Sequence, residues 1–199
     1  MIIKNKWATI VAHQFLGKFY PVVQGWTAPD APSVDGILSS TLLLSAAQTI
    51  TTGITQPDFP RVLEIDSDGA ASGDVVITGT NIRGETVTDT IALNTTNVVL
   101  GVVAFKTITS ILLPAKSASE SVFVGWGDKL GLQSIPLSTE VISEDSNNAT
   151  DTGGTVLTRD ADEVEKCVFD PTTECDGSVD KAIVYISSEM PKRVGGYTS

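Results

Sequence analysis

Two runs rich in threonine and β-branched residues face each other across a short polar turn in the stretch VVITGTNIRGETVTDTIAL. In the second run, Val87 and Ile91 fall on one face at a period of two, and threonines fall on the other face. This alternation is typical of a half-buried antiparallel strand, in which Asp89 is a polar exception on the apolar face. Gly84 tolerates the positive φ of a short hairpin connection, and Asn81 suits the first position of the turn. The pattern predicts a β-hairpin.

Similar short runs recur between residues 59 and 137, separated by clusters of Gly, Asp, Asn, Ser or Pro. Such runs, bounded by turn residues, are typical of strands. They predict five strands, at residues 61–65, 75–80, 85–93, 98–111 and 121–126. Because regular short strands joined by turns favour a sandwich or a small barrel, we expect an all-β fold. Its body is predicted to be a β-sandwich, Ig-like or jelly-roll-like, over residues 59–137.

The flanking segments are predicted to be less regular. Residues 1–58 are expected to form an extended N-terminal arm and lead-in, because their prolines oppose a long helix or a central strand. Within them, residues 37–50 fit a short helix or a strand about equally. Residues 138–162 are polar and acidic, which favours a linker or loop. Residues 163–199 contain two further predicted strands, at 164–169 and 181–187, which close the sheet or form a small C-terminal lobe.

The N-terminal arm carries a dense group of aromatic side chains. Aromatic residues of this density need burial, either in the chain's own core or against another subunit. Because aromatic anchors carry much of the binding energy of interfaces, the second alternative makes these residues interface anchors. The group consists of Trp7, Phe15, Phe19, Tyr20 and Trp26.

Composition narrows the function classes. The chain has 199 residues, of which 41% are hydrophobic and 19% are charged, so it is foldable rather than disordered. Its formal net charge of −11, with scattered cations, makes nucleic acid an unexpected partner. We identify no signal peptide and no apolar run of the roughly 20 residues that a membrane helix needs. Synthesis in the cytosol, with no membrane partner, is therefore expected.

Two local motifs resemble ligand loops without matching them. The Gly-rich segment GWGDKLG, which begins at Gly125, fits neither the dinucleotide fingerprint nor the phosphate-binding loop, so we interpret it as a tight turn, a bulge or a close approach of backbones. Asp66, Asp68 and Asp74 suggest a calcium loop. An EF-hand is excluded because Ile77 occupies the twelfth position, where a Glu is required. The alternatives are a looser calcium site and an ordinary Asp/Gly turn.

Catalytic motifs were not identified. His13 is the single histidine, and no Gly-x-Ser-x-Gly elbow is present. A pair of carboxylates for glycoside hydrolysis is an alternative that the sequence leaves open. Sugar sites usually also use an aromatic platform, for which Trp126, beside two glycines, is the candidate. We therefore expect no enzyme activity, no catalytic residue, no metal ligand and no cofactor.

Cys167 and Cys175 flank a turn-like segment in the C-terminal part. A disulfide between them would close a short loop and stabilise the fold little. In a reducing cytosol paired thiols usually stay reduced, and no second Cys or His pair completes a zinc site. Reduced thiols are the favoured interpretation, and a Cys167–Cys175 disulfide is the alternative.

Four segments between residues 54 and 133 carry a family resemblance, namely ITQPDFPRVLEI, GDVVITGTNIRGETVTDTIAL, AFKTITSILLP and VFVGWGDKLGLQ. Their order resembles that of small β-rich virion proteins of tailed bacteriophages, of the capsid decoration or cement type. The resemblance implies a β-sandwich body with extended arms and no catalytic or ligand residues. It further implies a protein of the virion, located on the capsid surface, whose partners are the major capsid protein and neighbouring copies of itself.

Self-association is expected on physical grounds as well, since edge strands of a small sandwich need covering and a closed assembly such as a trimer covers them. Two alternatives stay open. One is another position in the virion, in the tail, neck or fibre base. The other is a carbohydrate-binding adhesive module, which predicts an exposed aromatic patch or a calcium site.

Overall fold

The computed structural model describes residues 20–187, apart from residue 96, residues 117–119, residue 148 and residues 152–155. Within this part of the chain the regular elements are β-strands, together with one 3₁₀ turn at Val164–Lys166. All strand pairs are antiparallel, and the sheets pack face to face. The prediction of an all-β, sandwich-like fold is confirmed.

The described strands, in chain order, are β1 (Tyr20–Trp26), β2 (Ser33–Leu42), β3 (Gln48–Ile50), β4 (Arg61–Ser67), β5 (Asp74–Thr80), β6 (Thr86–Ala92), β7 (Val99–Phe105), β8 (Thr107–Leu113), β9 (Ser121–Gly131), β10 (Pro136–Ser146), β11 (Ala149–Asp151), β12 (Val156–Thr158), β13 (Val168–Asp170) and β14 (Lys181–Ser187). They form three sheets. The first has the order β1-β14-β10-β11, and the third has the order β3-β8-β5-β6. The second has the order β12-β13-β9-β4-β7, with β2 also paired to β9.

Strand β9 belongs to the two larger hydrophobic cores in the described part of the chain. Its first half places Val124 and Trp126 in a core between the second and third sheets. Its second half places Leu130 in another core, between the second and first sheets. The register of β9 against β4 shifts between the Leu63–Trp126 and Arg61–Leu130 pairs, where β9 passes from one core to the other. The two cores therefore share one continuous strand.

The hairpin predicted around Asn81 is present. β5 and β6 pair from Asp74↔Ala92 to Thr80↔Thr86. Gly84 has a φ of 80°, and the Asn81 Oδ1 atom accepts the backbone N–H groups of Arg83 and Glu85 at 2.9 and 3.1 Å. The Asn81 side chain thus fixes the turn that sets the register of the two strands.

Asp89, the polar residue on the apolar face of the hairpin, connects the third sheet to the second. Its carboxylate is 7% exposed. The Oδ2 atom accepts the N–H groups of Val102 and Val103 on β7, at 2.8 and 3.2 Å. The pairing of β7 with β4 is irregular at this point, between the Val62 and Glu64 positions of β4. The carboxylate satisfies backbone donors beside this irregularity, and Gly101 makes room because a Cβ there would lie 2.3 Å from Oδ2.

Arg61 is fully buried where the two cores meet. Its Nε and Nη2 atoms donate to the two carboxylate oxygens of Asp58, at 2.7 and 3.0 Å. Nη2 also donates to the Asp30 carbonyl at 2.7 Å, and Nη1 donates to the Gly127 carbonyl at 3.2 Å. The guanidinium therefore connects three parts of the chain. These are the β1–β2 connection, the segment that precedes β4 and the irregular part of β9.

Two predicted segments in the body and after it differ from the structure. The run 98–111 is two strands, because the chain turns at Lys106, whose N–H donates to the Thr80 carbonyl at 2.8 Å. Residues 138–162 were predicted as a linker, but they contain most of β10 and all of β11 and β12. The polar composition misled here because much of β10 is exposed, whereas its C-terminal end pairs with β14.

The N-terminal lead-in is also more regular than expected. From Tyr20 onward, residues assigned to the arm form β1, β2 and β3, so residues 37–50 hold strands and not a helix. Pro21 is accommodated because β1 is the edge strand of the first sheet. In the C-terminal part, the predicted strand 164–169 begins instead as the 3₁₀ turn, whereas the strand 181–187 matches β14.

We predict that Asp58→Ala destabilises the protein by about 3 kcal/mol, because it leaves the Arg61 charge buried without its carboxylate. Urea unfolding monitored by fluorescence measures the change. Asp35→Ala on β2 is the matched control, since Asp35 is exposed and accepts one hydrogen bond from Ser33. Equal stability of the two variants would contradict the role assigned to Arg61.

We predict that Asp89→Ala lowers the free energy of unfolding by about 3 kcal/mol, because the N–H groups of Val102 and Val103 lose their acceptor. Asp74→Ala, an exposed carboxylate at the start of β5, serves as the control and should change stability by less than about 0.5 kcal/mol. The idea fails if amide hydrogen exchange at Val102 and Val103 is as slow in Asp89→Ala as in the unmodified protein.

Candidate functional site

The outer face of the second sheet carries a row of exposed apolar side chains. Val98, Leu100 and Val102 are 47%, 46% and 59% exposed. They alternate along β7 and the residue before it, while Val103 lies in the first core. β7 is the last strand of its sheet, so the row lies at a sheet edge. We call this surface, with the outward-facing residues of β4 and β9 beside it, the β7 face.

A cavity of about 310 Å³ opens at one end of the β7 face. Its apolar lining comes from valines of three neighbouring strands, and its polar lining comes largely from cations. The lining residues are Val62, Gly101, Val102, Lys129, Thr158, Arg159, Asp160, Lys166 and Val168. An apolar surface with cations around it is suited to a group that combines an aliphatic part with a carboxylate.

Two of the charged groups at the cavity, those of Lys166 and Asp160, interact with residues close to them in sequence. The Lys166 ammonium forms an ion pair with Glu163, which raises the pKa of Lys166. The Asp160 carboxylate accepts the N–H groups of Asp162 and Glu163 at 2.8 and 2.9 Å, and these bonds lower the pKa of Asp160. Lys166 and Asp160 therefore line the cavity, but their charged groups are already bonded to neighbouring residues.

The other two cations also have charged neighbours. The Lys129 ammonium forms a long ion pair with Asp170, with 3.9 Å between Nζ and Oδ2. Arg159 donates from Nε to the Pro136 carbonyl at 2.7 Å, and it lies near enough to Asp160 to help lower the pKa of that carboxyl. Its Nη groups form no hydrogen bond with the residues that the structure describes.

Two carboxylates lie at the opposite end of the β7 face. Glu64 is 8% exposed, and its side chain has no hydrogen bond to a described residue. Burial raises the pKa of Glu64, and the neighbouring Asp66 carboxylate raises it further. Asp66 is less buried, and its Oδ1 accepts the N–H of Ser67 at 2.7 Å. This end carries negative charge that the described part of the chain does not neutralise.

These residues were not found from the sequence. The run from Val98 to Phe105 is apolar at both odd and even positions, a pattern typical of a strand covered on both faces. This pattern indicates apolar side chains on both faces of the strand, but it does not show that one of the two faces is exposed in the folded chain. Lys129 and Arg159 lie 30 residues apart, so their proximity depends on the pairing of β9 with β13.

The predicted interface aromatics have different positions. Trp26 is buried in the second core, where its ring stacks on Phe169 at a centroid distance of 5.4 Å. Its prediction as an interface anchor is wrong, and the alternative, burial in the chain's own core, applies. Tyr20 is partly buried at the start of β1. Trp7, Phe15 and Phe19, like His13, lie outside the described residues.

Trp126 does not form an exposed platform. It is 8% exposed, and its Nε1 donates to the Ala31 carbonyl at 2.9 Å. Gly125 permits a close approach of backbones, since a Cβ there would lie 1.8 Å from the Ser33 carbonyl oxygen. The predicted close approach is present, but the segment lies inside β9 and not at a turn.

The aspartates of the suggested calcium loop have separate structural contacts. Asp68 accepts the N–H of Ser121 at 2.6 Å, while Asp66 bonds to its own neighbour. Among the described residues, no group of three or more His, Cys, Asp or Glu side chains is placed to hold a metal ion.

Both cysteines are buried free thiols, so the disulfide alternative is wrong. The Cys167 Sγ donates to the Asp160 carbonyl at 3.3 Å. Cys175 lies beside Asp128, whose Oδ1 accepts the Cys175 N–H at 2.8 Å. Burial, followed by the contact with Asp128, raises the pKa of the Cys175 thiol from 9.0 to about 12. A thiol in this setting is a structural group and a poor nucleophile.

We predict that neither thiol reacts with an aromatic disulfide reagent at pH 8 until the protein unfolds. For Cys175, a pKa raised by three units leaves on the order of a thousandfold less thiolate than an unperturbed thiol has. Because the folded pKa is above the unfolded one, the stability that this thiol contributes is complete below pH 9 and is lost between pH 9 and about pH 12. Fast labelling of the folded protein would contradict this prediction.

Comparison of the chain with known proteins gave no match among protein-family models, curated sequences or solved structures. No helix in the described part is long and apolar enough to cross a membrane. The site is therefore defined by its geometry, namely an exposed apolar row with a cavity lined by charged residues at one end and the Glu64 and Asp66 carboxylates toward the other.

Proposed function

We propose that this chain is a non-enzymatic structural protein of a bacteriophage virion, which binds the outer surface of the capsid and stabilises it as a decoration or cement protein. The observation that carries the proposal is the fold of residues 54–133. These residues form the strands from β4 to β9, which pack as two sheets around the first core. A β-sandwich body is what the resemblance in this segment implies.

Binding, rather than turnover, is the mechanism in this proposal. The partners are the major capsid protein and neighbouring copies of the chain, on the capsid surface of a virion assembled in the host cytoplasm. Each copy contributes modest contacts, and repetition over a shell multiplies their effect through a high effective concentration. The aromatic residues before β1 are the proposed anchor to the shell, because aromatic side chains concentrate interface energy.

The two alternatives differ in their support. A protein of the tail, neck or fibre base can have the same kind of β scaffold. Only an experiment therefore distinguishes this alternative from the capsid proposal. A carbohydrate-binding module is less well supported, because both tryptophans in the described part of the chain, Trp26 and Trp126, are buried.

We predict that the purified protein co-sediments with capsids that lack it, at a saturating and fixed ratio to the major capsid protein. Replacing Trp7, Phe15 and Phe19 together by alanine should weaken this binding by at least about tenfold, since each anchor contributes 1 kcal/mol or more. These positions precede β1 in the chain, and circular dichroism checks that the triple variant keeps its fold.

The matched control replaces Lys4, Lys6 and Lys18 by alanine in the same segment and should bind as the unmodified protein does. Retention on purified tails, with no binding to capsids, would replace the capsid proposal by the tail alternative. Retention on host-surface glycans alone would favour the adhesive module instead.

A further inference from the structure

On the β7 face, an exposed apolar side chain lies beside a carboxylate that has no bonded partner. Leu100 pairs with Glu64 across β7 and β4. Glu64 is 8% exposed and has no hydrogen bond to a described residue. Asp66, two residues farther along β4, lies on the same face. A carboxylate kept out of water without a partner is unfavourable, and so is an exposed apolar row. The face therefore fits an occupant that combines apolar side chains with cations.

One segment outside the described residues has this composition. Residues 188–199, with the sequence SEMPKRVGGYTS, carry adjacent cations at Lys192 and Arg193. Apolar side chains flank this pair, with Met190 before it and Val194 after it. In a chain whose net charge is −11, two adjacent cations between apolar residues are a distinct feature. Their charge is complementary to that of the two carboxylates on β4.

The segment follows β14, and the last residue of β14 lies near the cavity at one end of the β7 face. Ser187 pairs with Pro136 of β10. The Pro136 carbonyl accepts the Nε–H of Arg159 at 2.7 Å, and Arg159 lines the cavity. One strand spacing of about 5 Å and one arginine side chain therefore separate Ser187 from the cavity.

The carboxylates are within reach of the two cations. Six residues lead from Ser187 to Arg193, and an extended chain of that length spans about 20 Å. Along β4, Glu64 is only two residues, about 7 Å, from Val62, which lines the cavity. A segment that crosses the cavity therefore brings its cations to the carboxylates. Its one acid, Glu189, then stays nearer the cavity and away from them.

We propose that residues 188–199 lie along the β7 face of their own copy, with Lys192 and Arg193 beside the carboxylates of Glu64 and Asp66 and with apolar side chains on the exposed row.

Position favours this segment over residues 1–19, which carry three lysines and no acid. Residues 1–19 join the sheet at Tyr20 of β1. β14 separates β1 from β10 in the first sheet, so Tyr20 is one strand farther from Pro136 than Ser187 is. The inference concerns the free protein and does not rest on capsid binding.

The test is the rate at which an uncharged maleimide labels a cysteine placed on the β7 face. Leu100→Cys supplies a reactive thiol, because both native cysteines are buried. A segment that covers the face slows this labelling, and reversal of both charges, Lys192→Glu with Arg193→Glu, releases the segment. The matched control position is Leu112→Cys, on an exposed part of β8 in the third sheet.

We predict that the double charge reversal speeds labelling of Leu100→Cys by at least about threefold, because two ion pairs of modest strength are lost. Labelling of Leu112→Cys should not change. The added negative charge by itself disfavours the thiolate and slows labelling, so a faster rate reports uncovering of the face. Val98→Cys, elsewhere in the row, should respond as Leu100→Cys does.

A compensating charge completes the prediction. Asp66→Lys, added to the double reversal, should slow labelling of Leu100→Cys again, because opposite charges then meet. Asp74→Lys, at the exposed start of β5, is the matched control and should not slow it. Circular dichroism and a thermal melt check that each variant keeps its fold.

Three results would overturn the proposal. If the double reversal does not speed labelling at either position of the row, residues 188–199 do not cover the face. If labelling is faster instead after Lys4, Lys6 and Lys18 are changed to Glu, residues 1–19 are the occupant. If labelling slows as the protein concentration rises, a second copy is the occupant. None of these measurements involves capsids, so failure of this proposal and failure of the proposed function can be told apart.

Discussion

The ion pair between Arg61 and Asp58 is the interaction on which the arrangement of the two cores depends. β9 contributes to both cores, and its register against β4 shifts between the part that packs in one core and the part that packs in the other. The interruption leaves backbone carbonyls, such as that of Gly127, without a partner strand in register. The Arg61 guanidinium donates to that carbonyl, and Asp58 balances its charge. Burial of a cation at this point is therefore tied to the continuity of the sheet.

Asp89 likewise bonds to backbone groups at an irregular position, on the β7 side of the second sheet. β7 is an edge strand, and edge strands carry free backbone donors that invite pairing with other chains. The Asp89 carboxylate accepts two of these donors from the third sheet, so the sandwich is connected at this edge by a side chain and not by a further strand.

The proposed shell anchor and the β7 face are different parts of the molecule. The anchor is assigned to aromatic residues before β1, whereas the β7 face lies at the edge of the second sheet. The buried cysteines and the buried tryptophans belong to neither surface. Trp26 and the cysteines pack in the second core, and Trp126 packs in the first.

Much of the fold could be predicted from local patterns. The hairpin around Asn81 and Gly84 depends on neighbours in sequence, and so does the strand 181–187, so both were recognised. β10 was missed because much of it is exposed and polar, so it lacks the apolar run by which β14 was recognised. Trp26 was assigned to an interface because aromatic content indicates burial but does not show which surface provides it.

The sequence alone determined that this is an all-β chain, because the period of two and the turn residues are local properties of the backbone. Only the tertiary structure decided where charge and apolar surface meet. Lys129 and Arg159 come together through the pairing of β9 with β13, and Leu100 lies beside Glu64 through the pairing of β4 with β7. Such pairings join residues that are far apart along the chain, and alternation within one strand carries no information about its partner. The candidate site is therefore a property of the folded sheet.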